Sequence, residues 1–184
     1  GGGQPVSIRT AIRNGISPED IMSVVWLART DMEQVGFDAA TGVKRFAATH
    51  TGRDTPVIQR IMDEVVAKGN GTGDEKNVGN VYYNIGVATM AASVRAAELA
   101  LEAHGAPLTG PKLKNGFEMI EDFNAEGLMP PITITQKDHQ GGGYGRVSMW
   151  TGDSWEPQTD WVAAYQDIVW EEIEKDSAKF EQGN

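Results

Sequence analysis

The sequence predicts an α/β protein with a partly parallel sheet. Three observations carry this. Residues 21–27 form a short, nearly continuous apolar run, the pattern of a strand buried on both faces. Strand-like and helix-like segments then alternate along most of the chain. Residues 81–103 form a long alanine-rich stretch suited to one extended helix.

The elements follow in order. Val6, Ile8, Ile12 and Ile16 approximate the helix period, and Gly15 and Pro18 end that segment. After the run at 21–27 comes a polar connection, then a second strand over 42–48. Asp54 or Thr55 can cap a helix with Pro56 in its first turn. Val57, Ile58, Ile61, Met62, Val65 and Val66 give that helix an apolar face. Residues 69–80 are a polar, glycine-rich loop leading into the long helix, which Gly105 and Pro107 end. Its alanines predict close packing against a sheet or another helix. A shorter helix is expected over 113–123. Residues 132–135 and 146–150 alternate, and are expected to pair as an antiparallel hairpin around the glycines at 141–145. Trp155 marks a further short strand, and an amphipathic helix is expected over 160–180. Strands are few for a self-contained doubly wound sheet.

Composition narrows the function. The 184 residues carry a formal charge of −10, with no basic stripe to release counterions, so no nucleic-acid partner is expected. No apolar run approaches the ~20 residues of a membrane span. Cysteine is absent, which removes disulfides, thiolate metal sites and thiol nucleophiles. The chain begins Gly1-Gly2-Gly3-Gln4, with neither an initiator Met nor a signal-peptide pattern. That start reads as a processed or trimmed chain, or as a glycine scar.

The motifs for chemistry are sparse. The glycines of 69–73 follow a helix rather than a strand and lack a Gly-Lys-Ser/Thr, so no cofactor is expected. No Gly-x-Ser-x-Gly elbow and no His-Glu-x-x-His occur. Asp138-His139 is either a dyad of a small hydrolase or a strand end in which the carboxylate orients the imidazole. His104, beside a helix-ending glycine, suits the helix dipole, and His50 sits at a strand end, where α/β folds place ligands. Tyr82-Tyr83-Asn84 opens the longest helix. There aromatics can wall a pocket while Asn and the first helix N–H groups hold a carboxylate or amide. Trp26 is placed to stack on a ligand, and Arg29 or Asp31 to pair with its charge. Core packing and a surface ion pair are the alternatives for all of these.

The order of these segments resembles the C-terminal half of periplasmic solute-binding proteins of the branched-chain amino acid type of ABC transporter. The residues are the helix after Gly-Gly-Gln-Pro, residues 21–27, the stretch from Gly36 through Gly42-Val43 to Thr49, and the Asp54-Thr55-Pro56 helix. Tyr82-Tyr83-Asn84-Ile85-Gly86, Ile132-Thr133-Ile134-Thr135, Asp138-His139, Trp150 and Asp160-Trp161 complete it. The resemblance implies part of a type I periplasmic-binding-protein fold: two α/β lobes joined by crossovers, with solute held between them. Residues 1–47 would end the second lobe, 48–128 form the C-terminal part of the first, and 129–184 return to the second. Thr49, His50 and Ile132 would be hinge positions. Trp26, Arg29, Asp31, Tyr82, Tyr83 and Asn84 would bind ligand. The implied partners are a small-molecule solute, a membrane permease and the N-terminal half of the same protein, in the periplasm, with no catalysis. The family places an acid just after the strand matching 21–27. Here the sequence reads Trp26-Leu27-Ala28-Arg29, with no acid until Asp31. That departure suits an organic or aromatic acid better than an amino acid. A ligand-sensing regulatory domain of the same fold is the alternative role.

Overall fold

A computed structural model describes residues 2–181 and 183; Gly1, the first residue of the glycine start, lies outside them. Helix α1 (Gln4–Arg13) has Pro5 in its first turn, where a missing N–H costs nothing. Strand β1 (Met22–Ser23) is followed by helix α2 (Arg29–Val35) and strand β2 (Lys44–Ala47). Helix α3 (Pro56–Ile61) continues as one wide turn over Met62–Val66. Then come α4 (Val81–His104) and α5 (Gly110–Phe117). Strands β3 (Arg146–Trp150) and β4 (Trp155–Pro157) precede the final helix α6 (Gln166–Glu181).

The four strands form one sheet in the order β1-β2-β3-β4. β1 is parallel to β2, and the other two pairings are antiparallel. The sheet is therefore partly parallel, as expected, but several elements differ from the sequence reading. The run at 21–27 pairs over two residues only, as an edge strand, and leaves Met22, Val24 and Trp26 exposed. Covered and exposed positions alternate along it, with Ile21 and Leu27 turned to the apolar residues beneath, so the run is buried on one face and not on both. The polar connection after it folds into α2, because the Asp31 carboxylate accepts the Ala28 N–H (2.8 Å) while Leu27 and Met32 are fully buried.

The expected hairpin between 132–135 and 146–150 does not form. β3 pairs instead with β2, Ala47 opposite Arg146 and Lys44 opposite Met149. The earlier segment spends its backbone groups elsewhere: Ile132 exchanges both hydrogen bonds with Phe123, and Ile134 N–H donates to Ile120. The helix expected over 113–123 starts earlier, at the Thr109 cap, and ends at Phe117. The last helix begins later than 160, because Val162 bridges to Gly145 and Tyr165 adopts φ 57°.

The apolar residues collect in two separate clusters. One joins Ile8, Leu27, Met32, Ala40, Val43, Trp150 and Trp155. The other joins Ile58, Val78, Ala88, Ala125 and Leu128. The first draws on residues 8–43 and 150–155, the second on residues 58–128, with Met129 packed against it. α4 buries Ala88, Ala92, Ala96 and Ala100, a stripe at four-residue spacing. α5 lies against it so closely that a Cβ on Gly116 would stand 2.0 Å from the Ala96 carbonyl oxygen. The alanines therefore pack against a helix.

Candidate functional site

Between the two clusters lies a cleft of about 610 Å³. One wall comes from α2 (Arg29, Thr30, Glu33) and from the β3–β4 end (Trp150, Asp153, Ser154, Trp155). The other comes from Thr51-Gly52-Arg53 and the turn Lys76 through Asn80. Glycine is required where the second wall folds on itself. Gly79 has φ 89°, its carbonyl accepts the Gly52 N–H (2.9 Å), and a Cβ there would meet Arg53 Cγ at 2.8 Å. Arg53 fixes the turn by donating from Nε to the Val78 carbonyl (2.9 Å) and from Nη2 to that of Glu75 (2.7 Å).

Of the six ligand residues expected from sequence, Arg29 lines this cleft. Its guanidinium rests over the Phe37 ring (4.6 Å) and faces Asp153 at 3.7 Å. Trp26 and Tyr82 meet each other: their rings stack at 5.8 Å, and the Tyr82 hydroxyl donates to the Trp26 carbonyl (2.9 Å). This pair ties the start of α4 to the segment before α2. Tyr83 packs against the second cluster. Asp31 caps α2. Asn84 is fully buried, and its Nδ2 donates to the carbonyls of His50 (2.9 Å) and Gly52 (3.1 Å). It braces the chain where it passes from one cluster to the other.

Of the expected hinge positions, Thr49 and His50 are consecutive in the chain, and His50 N–H donates to the Leu128 carbonyl (2.7 Å), which joins the segment after β2 to the one after Phe123. Arg146 can only donate, so its Nη2 fixes His50 Nδ1 as acceptor (2.7 Å), and the Nε2–H donates to Asp54 Oδ1 (2.7 Å). Thr49 is buried, its hydroxyl without a partner among the described residues, and Ile132 bridges Phe123.

Asp138 and His139 do not form a dyad. The Asp138 carboxylate accepts the N–H groups of Gln140 (2.8 Å) and Gly141 (3.2 Å), closing its own turn, and His139 Nε2 meets Glu118 at 3.1 Å. His104 contacts Asn115 Oδ1 (2.6 Å) at the end of α4. No helix among the described residues is long and apolar enough to cross a membrane.

Sequence reading missed Thr51, Arg53, Asn77, Asn80 and Trp155 as cleft residues. Nothing in their spacing marks them, since the two walls come from segments ~25 to 100 residues apart that only the fold brings together. The glycine-rich loop was the one signal, and its last residues do reach the cleft.

This architecture is part of a type I periplasmic-binding-protein fold. The solved structures it resembles are ABC-transporter proteins. One, from the Pseudomonas fluorescens group and described as an ABC transporter permease, has 29% identity and a TM-score of 0.88, with 100% of this chain and 46% of that one covered. A branched-chain amino acid ABC transporter from Thermus thermophilus, with bound valine, has 20% identity and a TM-score of 0.71, covering 88% of this chain and 43% of its own. An ABC transporter substrate-binding protein from Aeropyrum pernix has 17% identity and a TM-score of 0.67, covering 88% and 42%. The chain thus spans less than half the length of each structure it matches. No family model matches it, and no curated protein sequence does.

Proposed function

We propose that this chain forms part of a periplasmic solute-binding protein that delivers a small polar or amphipathic solute to an ABC-transporter permease. The observation that carries this is the placement of the cleft: it lies between two separate apolar clusters joined by adjacent crossing segments at His50 and Leu128. Such an arrangement suits hinge closure, in which a solute touching both walls shifts the population toward the closed form. The lobes we assign are 1–47 with 129–184, and 48–128, with the N-terminal half of the same protein as the partner that completes them. Arg29 is the assigned ligand contact. Trp26 and Tyr82 clasp the walls, and Asn84 and Asp31 hold the segments that carry them. Binding needs no catalysis, and the carboxylate and imidazole of Asp138 and His139 are committed to local contacts.

A thermal-shift screen of amino acids, amides and aromatic acids tests this. At least one class should raise the melting temperature, and Arg29→Ala should weaken that shift. A screen in which no class moves it, with the protein folded, overturns the reading.

A further inference from the structure

Arg45 lies on β2 with its side chain almost wholly buried, at 1% exposure. Register places it opposite Ser148 and diagonal to Arg146 on the same sheet face as Val43, Trp150 and Trp155. Its guanidinium donates to the Leu27 carbonyl and the Thr51 hydroxyl and lies 4.2 Å above the Trp155 ring. Among the described residues it has no carboxylate partner. The charge that acts on it is another cation, Arg146, itself half-buried over the Trp161 ring. Burial, with Arg146 beside it, pushes the Arg45 pKa down to about 9, so the group is still charged at neutral pH.

Arg146 has the Asp54 carboxylate within electrostatic reach, through His50. Arg45 is the cation left without an anion, and burying such a charge is costly. It is also unexpected in a chain with 26 acids to 16 bases, where a partner would be easy to supply. Three donors here are buried and unpartnered among the described residues: Arg45 Nε, Arg146 Nε and Trp155 Nε1. The two groups that touch the Arg45 guanidinium from the cleft side, Thr51 and Trp155, both line the cleft. The charges on the cleft walls largely answer one another. Arg29 faces Asp153, Arg53 faces Glu75, Lys76 pairs with Asp74, and Glu33 is the further acid.

We infer that the solute carries a free carboxylate, and that Arg45, behind Thr51 and Trp155, is the residue that neutralises it. This rests on the solute-binding reading of the cleft and specifies its ligand class: a small monocarboxylate with an apolar or aromatic body against Trp150 and Trp155. The carboxylate takes the place of the Thr51 hydroxyl on the guanidinium and accepts the free Trp155 indole N–H. Arg146 adds charge from the neighbouring strand. Charge-assisted hydrogen bonds of this kind discriminate strongly between an acid and its neutral isostere.

The test compares phenylacetate, phenylacetamide and phenethylamine by titration calorimetry, on the native chain and on Arg45→Met and Arg45→Lys, with circular dichroism to confirm folding. Phenylacetate should bind about 10- to 100-fold more tightly than the amide. Arg45→Met should bring the two together, and Arg45→Lys should restore part of the preference. Should Arg45→Met not fold, Arg45→Gln carries the same comparison. Equal binding of acid and amide by the native chain, or an acid preference that survives in Arg45→Met, overturns the inference and leaves the solute-binding reading standing. Binding of none of the three probes overturns the inference, and the broader thermal-shift screen then decides the solute-binding reading on its own.

Discussion

Asn84 shows how much one buried amide can hold. Its two donors satisfy the carbonyls of His50 and Gly52, on the segment that leaves the sheet for the second cluster. Asn84→Ala should destabilise the protein by about 1–2 kcal/mol, read from the urea midpoint, because two partly buried carbonyls lose their partner. A loss below half a kcal/mol would mean that the segment is held by something else. At the surface, the bidentate pair of Arg60 with Glu126 (2.6 and 2.8 Å) links α3 to a turn 66 residues away. Arg60 holds the Glu126 carboxyl below its ordinary value of 4.5. A depressed acid stabilises above its unfolded pKa and loses that contribution as pH falls through its folded one. Glu126→Gln should therefore lower the melting temperature slightly at neutral pH, and the gap should close on acidification below 4.5. A gap that persists or widens there contradicts the assignment. The residue types of the site were legible in sequence, since Trp26, Arg29, Tyr82 and Asn84 were all singled out. Their roles were not, because whether an arginine faces a cleft or an asparagine braces a crossover depends on partners 30 or more residues away. Arg45 looked like an ordinary residue in a strand.

Among the elements, the α4–α5 contact makes the sharpest demand on sequence. Gly116 faces Ala96 and Ala100 with no room for a methyl group, whereas Gly86, on the exposed side of α4, has nothing within 4 Å. Gly116→Ala should cost about 3 kcal/mol by forcing the helices apart. Gly86→Ala should stabilise by about 0.5–1 kcal/mol through helix propensity. Paired thermal melts check this, and equal effects of the two would contradict the packing described. Long periodic elements were readable from sequence for the same reason: the alanine stripe of α4 repeats over more than three turns, from Ala88 to Ala100. The short ones were not. α2 depends on one capping carboxylate, and the partner of β3 depends on Ile132 already being paired to Phe123. Neither fact has a periodic signature.

At the scale of the molecule, two apolar cores flank one cleft, and the solute-binding proposal requires that this cleft take a solute. The most direct test is a two-dimensional amide NMR titration of the chain with leucine, phenylacetate and phenylacetamide. The backbone amides of Gly52, Gly79 and Ser154 report from both walls. At least one probe should shift all three together, saturably, with a common dissociation constant. Shifts confined to one wall, or to the separate apolar groove where Leu113 and Phe117 of α5 face Ile134, would contradict it.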